Sequence, residues 1–282
     1  MFIKNFYKRF KNIIFFVICL FCFSNIVFCQ IEYLDLSAKS AIIIDIEQNK
    51  VLFKKKSYLK FPPASTTKVM TAILAIETLG LKNKVVPSKR VVQVEPTIIG
   101  LKYGVEYKVS DLIAAILIKS ANDAAFVLAE AIAGSEKKFA ELMNKKAKEI
   151  GMNNTHFLTS SGLPTGKKDK QYTTVEDLVK MMKYAIKYKF LLDVMSRKKA
   201  YIRGSDNKKL ILSTHNKSLF SEKGKAWGKT GYTIEAKRTF VGVDPSFKPC
   251  IIFALLKSND LWNDINVLKN EGVRFSKMDK KK

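Results

Sequence analysis

The chain has 282 residues, 47% of them hydrophobic, and carries 50 lysines and arginines against 25 aspartates and glutamates, a formal charge of +25 at pH 7. That length is ample for one unit with a sizeable core. The positive charge is spread along the chain with no zinc-finger or RNA-recognition signature, which argues against nucleic acid and for an anionic envelope or its polymers.

Lys4, Lys8, Arg9 and Lys11 precede an apolar run over 13–29 that Ser24 and Asn25 interrupt. A charged segment followed by an apolar one is the pattern of a secretory signal. The run is marginal for a membrane span, which takes about 20 residues. Two readings of 1–29 stay open: a signal peptide cut before Gln30, or an N-terminal anchor. Both export the chain across the cytoplasmic membrane, to the periplasm or cell envelope, and the anchor would also hold it at the membrane. Three of the four cysteines, Cys19, Cys22 and Cys29, lie in this leader. Cys250 is read as an inert thiol in an apolar strand.

A hairpin is expected next, with strands at 41–45 and 51–53. After an extended stretch at 61–64, where prolines disfavour helix, apolar positions from Val69 to Leu79 follow a helical period and Gly80 is the expected stop. Ser65 opens this helix over 65–79, where free backbone N–H groups favour negative charge. Lys68 lies on the same face, within reach of the Ser65 hydroxyl. The bland alternative is a serine cap with a solvated first turn. The spacing Ser-x-x-Lys also recurs at Ser57/Lys60, Ser135/Lys138, Ser196/Lys199 and Ser205/Lys208.

Helices are expected over 110–118 and 122–133, separated by the polar break Lys119-Ser120-Ala121-Asn122-Asp123. That break is either a tight cap or a site in which Ser120 relays a proton and Asn122 holds a substrate amide. Further helices are expected over 136–150 and 175–187. Strands follow at 226–233, 239–243 and 250–256, then a helix over 261–275 and a polar, disordered tail over 277–282. The stretch Lys229-Thr230-Gly231-Tyr232-Thr233 opens the late strands. Gly231 within it and Gly228 just before it permit close approach, Lys229 and Thr230 suit a carboxylate, and the Tyr232 N–H suits an oxyanion. Its bland alternative is an edge strand protected by lysine. Strands at both ends with helices between predict an α+β domain over 30–276, an antiparallel sheet flanked by helices plus a mostly helical subdomain. The two histidines, His156 and His215, lack ligand-spaced partners, so neither metal nor cofactor is expected. His156 is read as structural.

Taken in order, Ser65-Thr66-Thr67-Lys68, Ser120-Ala121-Asn122 and Lys229-Thr230-Gly231 supply a nucleophile, two candidate bases, an amide and an anion site, the parts of an active-serine acyl-transfer enzyme. With Gly151-Met152-Asn153-Asn154-Thr155-His156-Phe157 and Ser161-Gly162-Leu163, the chain resembles the serine-type D-alanyl-D-alanine carboxypeptidases, the low-molecular-mass penicillin-binding proteins, from about residue 38 to 275. The resemblance implies a β-lactamase/transpeptidase-like fold and removal of the terminal D-alanine from peptidoglycan stem pentapeptides. It also implies roles. Ser65 attacks, Lys68 acts as base, and Ser120 passes a proton to the leaving amine. Asn122, Lys229, Thr230, Gly231 and Tyr232 hold the substrate, and β-lactams acylate the same serine as covalent inhibitors.

Alternatives on the same residues are a β-lactamase, a D,D-endopeptidase, or a catalytically silent peptidoglycan-binding envelope protein. A β-lactamase needs an additional glutamate; the best placed is Glu176, but Thr173 and Thr174 before it read as a helix cap. Two departures from the family pattern stand out. Ala236-Lys237-Arg238-Thr239 replaces a small, uncharged run, with Arg238 read as a solvated turn charge or, in the alternative, a second carboxylate ligand, and the chain stops at Lys282 where relatives often append a β-rich domain.

Overall fold

The computed structural model describes residues 34–94, 96–166, 169–221, 225–244 and 251–279. The leader over 1–29, Cys250 and the last three residues of the tail lie outside the described residues. Among the described residues no helix is long and apolar enough to cross a membrane.

β1 (Ser40–Asp45) and β2 (Lys50–Lys55) form the expected antiparallel hairpin, with Ala41 opposite Lys55 and Asp45 opposite Lys50. The Asp45 carboxylate closes its turn by accepting the N–H groups of Glu47 at 2.9 Å and Gln48 at 3.0 Å. A 3₁₀ turn at Ala64–Thr67 leads into α1 (Lys68–Leu79), which Gly80 ends with φ 70°. Every residue of α1 from Lys68 to Ala75 is buried. A helix buried on all sides needs apolar residues on all sides, and Val69, Met70, Ala72, Ile73 and Leu74 provide them.

Two-residue strands β3 (Lys84–Val85) and β4 (Tyr107–Lys108) pair into a small ribbon. α2 (Val109–Ala114) widens into a π turn at Ala115–Lys119, and α3 (Asn122–Ala133) follows, ending at Gly134 with φ 73°. Ser135 caps α4 (Glu136–Glu149), and the Thr174 hydroxyl caps α5 (Val175–Ala185) by accepting the Asp177 N–H at 3.2 Å. Then come α6 (Lys189–Ser196) and the hairpin β5 (Lys199–Arg203) with β6 (Lys209–Ser213). The chain returns as β7 (Trp227–Thr233), β8 (Lys237–Asp244), β9 (Ile251–Ser258) and α7 (Leu261–Asp279).

The main sheet has the order β2-β1-β9-β8-β7, all antiparallel, so the two ends of the sequence meet where β1 pairs with β9. Side chains alternate across a sheet. Ile42, Ile252 and Ala254 join the core formed with the helices, while α7 packs on β1, β2, β8 and β9, its Gly272 close to Ile43 and Ile251. The expected α+β class and cross-chain sheet are both present. Two details differ from the sequence reading. α7 runs three residues into the stretch expected as a disordered tail, because Lys277 and Met278 are good helix formers that extend an existing helix. The small ribbon, α6 and the β5–β6 hairpin were not anticipated.

Candidate active site

Three walls meet around Ser65. The first is the start of α1. Ser65 sits in the 3₁₀ turn whose N-cap is Pro63, with no side-chain cap, so the bland reading of Ser65 as a cap falls. Its hydroxyl lies instead 2.9 Å from Nζ of Lys68.

The second wall is the break between α2 and α3. The π turn spreads the chain so that the Ser120 and Ala121 N–H groups both reach back to the Ala115 carbonyl. It leaves Ser120 left-handed, with φ 62° and ψ 31°. A side-chain-bearing residue there is uncommon and marks sites held by their surroundings. The N-cap of α3 is Ala121, which has no capping side chain. Neither polar residue therefore serves as the cap that the sequence left open. Both are buried and face the other walls. Asn122 Oδ1 accepts from Lys68 Nζ at 2.8 Å, and Ser120 Oγ accepts from Lys229 Nζ at 3.0 Å.

The third wall is β7, the outer strand of the sheet, packed along the 3₁₀ turn. Lys229 does not protect this edge from solvent: it is 1% exposed, and Nζ also donates to the Thr230 carbonyl at 2.6 Å. Gly231 lets the strand approach, since a Cβ there would stand 2.7 Å from the Ser65 nitrogen. Tyr232 turns its ring outward, 60% exposed. Arg238 donates to the Asn259 carbonyl at 3.2 Å and lies over the Tyr232 ring, with its Cζ 5.9 Å from the ring centre.

Two lysines without solvent are costly as cations, and such groups shift toward neutrality. Lys68 is fully buried and donates to a third acceptor, the Ser161 carbonyl, at 2.8 Å. Burial, then the charge of Lys229, hold its pKa well below the ordinary lysine value; Glu136 and Asp123 oppose that shift. Burial brings Lys229 down to about 7. As an ammonium, Lys68 donates three hydrogen bonds. Once neutral it keeps two N–H donors, enough for Asn122 Oδ1 and Ser161 O, and its lone pair then faces the Ser65 hydroxyl.

The sequence reading did not assign three groups that border this site. The Ser161 carbonyl is a backbone atom, so no residue type announces it. Glu136 and Asn122 line a cavity of about 290 Å³ together with Phe126, Thr159, Ser161 and Leu163. The His215 ring, on an exposed residue, is held below its ordinary pKa by partial desolvation and by the charges of Lys229, Lys119 and Lys68. His156 pairs its backbone with Tyr172 in an isolated bridge, in keeping with a structural role. Glu176 accepts the Ser57 hydroxyl at 2.6 Å in the capped first turn of α5, as the cap pattern implied.

The fold recurs in solved structures. A D-alanyl-D-alanine carboxypeptidase from Mycobacterium tuberculosis H37Rv superposes with a TM-score of 0.79 at 30% identity, covering 85% of this chain and 92% of that one. Penicillin-binding protein D2 from Listeria monocytogenes, in its ampicillin-bound form, gives 0.73 at 28% identity over 86% of this chain and 99% of that one. The architecture is thus that of the penicillin-binding D,D-peptidases. In sequence, the carboxypeptidase DacF of Bacillus subtilis is 37% identical over 205 residues, 71% of this chain, which spans about half of DacF's length (52%). The chain belongs to the Peptidase S11 family, D-alanyl-D-alanine carboxypeptidase, whose model matches residues 28–252.

Proposed function

We propose that the chain is a serine D,D-carboxypeptidase that removes the terminal D-alanine from peptidoglycan stem pentapeptides through an acyl-enzyme on Ser65. The observation that carries this reading is the setting of Lys68: fully buried, with Nζ 2.9 Å from the Ser65 hydroxyl and its other contacts taken by Asn122 Oδ1 and the Ser161 carbonyl.

In this reading Lys68 takes the Ser65 proton as Oγ attacks the carbonyl of the penultimate D-alanine. The N–H groups of Ser65 and Tyr232 receive the oxyanion, each such donor being worth about 3–4 kcal/mol in the transition state. Lys229 and Thr230 grip the free carboxylate, and Asn122 holds the peptide amide. Ser120, bonded to Lys229, hands its proton to the leaving nitrogen as the C–N bond breaks and D-alanine departs, and takes in its place the proton that Lys68 removed from Ser65. Water then attacks the ester, releasing the shortened peptide and restoring the Ser65 hydroxyl. β-Lactams would acylate the same oxygen, because their strained amide presents a carbonyl beside a carboxylate. Residues 30–276 would form the catalytic domain, exported by the charged and apolar leader over 1–29.

The test is release of D-alanine from a stem pentapeptide by the purified chain, with Ser65→Ala as control. Release that depends on Ser65 supports the reading. A folded wild-type chain that leaves the pentapeptide intact overturns it and favours the silent envelope protein.

A further inference from the structure

Behind Lys68 runs the segment 159–163, and it touches both Lys68 and the turn that carries Ser65. Its Ser161 carbonyl accepts from Lys68 Nζ at 2.8 Å. Its Gly162 presses on the turn bearing Ser65: a Cβ at Gly162 would lie 1.9 Å from the Ala64 carbonyl oxygen. The segment is itself clamped from two sides. The Thr71 hydroxyl, one turn along α1 from Lys68, donates to the Ser160 carbonyl at 2.6 Å. On the other side Glu136, the first residue of α4, accepts the Ser160 N–H at 2.9 Å and the Ser160 hydroxyl at 2.5 Å. Both carboxylate oxygens are thus committed to one residue, next to the carbonyl that holds Lys68.

We propose that Glu136 is a positioning residue for Lys68, clamping with its charged carboxylate the Ser160–Ser161 peptide that orients the amine. The inference rests on the reading of Ser65 and Lys68 as nucleophile and base. Four charged groups bear on Lys68 and Glu136. Lys229 on β7 pushes the Lys68 pKa down, while Asp123 on α3 and Glu136 on α4 push it up. Glu130 on α3 faces Glu136 as a like charge, and is itself paired with Arg90. Arg90 also lines the cavity beside Glu136. Burial raises the Glu136 pKa, against the Ser160 hydrogen bonds and the Lys68 charge. Among the described residues, Glu136 both clamps the Lys68 acceptor and opposes the fall in the Lys68 pKa. An amine buried without it would titrate at a still lower pH, on a looser carbonyl.

The experiment follows the Lys68 Cε signal in protein labelled with [¹³C]lysine, assigned by its loss in Lys68→Arg, through a pH titration of wild type, Glu136→Asp and Glu136→Gln. Penicillin acylation rates are measured on the same samples. Removing the charge in Glu136→Gln is expected to lower the Lys68 titration by about one pH unit. Glu136→Asp, whose charge withdraws by one methylene, should shift it less in the same direction. The acidic limb of acylation should move with each titration, and the plateau rate should fall about tenfold in Glu136→Gln as the clamp loosens. Ser160→Ala, which keeps the charge, should slow acylation without moving the limb. A role in folding alone would lower thermal stability and leave the titration where it is. Coincident Lys68 titrations across the folded variants overturn the proposal. If penicillin fails to acylate even the wild type, it is the reading of Ser65 that fails, and the Lys68 titration still decides the role of Glu136.

Discussion

Gly231 of β7 and Ser65 stand so close that the missing Cβ of the glycine would sit 2.7 Å from the Ser65 nitrogen and 2.4 Å from Thr239 Oγ1. Backbone contact of this kind sets the gap between a strand edge and a nucleophile. Gly231→Ala would push β7 away from the turn and with it the Tyr232 N–H. The expected result is a loss of about 10²-fold in penicillin acylation, the effect of one misplaced oxyanion donor. Rates from stopped-flow or gel-based labelling check it, beside an unchanged far-ultraviolet circular dichroism spectrum.

Ser120 meets Lys229 across the cleft at 3.0 Å from a strained, left-handed backbone. Ser120→Ala keeps the fold but breaks the path for the proton to the leaving nitrogen. The turnover number for D-alanine release should fall about 10²-fold, with KM changing far less. Steady-state kinetics on a pentapeptide separate the two constants.

The two buried lysines predict a bell-shaped pH profile for kcat/KM. Lys68 works as the neutral amine, so activity rises as pH climbs through its depressed pKa. Lys229 grips a carboxylate as the cation, so activity falls as pH climbs past its value of about 7 in the free enzyme. Lys229→Arg keeps a cation at every accessible pH. It should remove the alkaline limb while lowering the optimum rate, which a pH series of both proteins reads directly.

Gly162 has φ +81° and faces backbone, with the Ala64 carbonyl oxygen 1.9 Å and its carbon 2.5 Å from a hypothetical Cβ. Neither neighbour can swing aside as a flexible side chain would. Gly162→Ala should cost roughly 3 kcal/mol of stability, a fall of about 6–12 °C in Tm for a domain of this size. Differential scanning calorimetry measures it.

The site was legible in the sequence to the extent that side-chain chemistry announces itself. Ser65 with Lys68, Ser120 with Asn122, and Lys229 with Gly231 each join a hydroxyl, amide or amine to a helical break or a glycine, and the fold brings all three together. Each also had a bland reading that only geometry could remove. The absence of a cap on the Ser65 turn and the burial of Lys229 removed two of them. The Ser161 carbonyl was invisible because backbone acceptors carry no residue signature. Glu136 was hidden among the acidic residues of amphipathic α4, where one carboxylate looks like the next until its partners are known. The π turn before Ser120 follows from tertiary packing that no propensity encodes. Strands β3 and β4 are too short to show a period, and α6 follows α5 so closely that their patterns run together.

The central claim is that Ser65 is a nucleophile activated by Lys68. Intact mass spectrometry of the chain during incubation with benzylpenicillin, with Ser65→Ala alongside, tests it most directly. The account predicts a lasting adduct of the mass of penicillin on the wild type and none on the variant. A folded wild-type chain that acquires no adduct and consumes no penicillin, or an adduct that persists in Ser65→Ala, would contradict it.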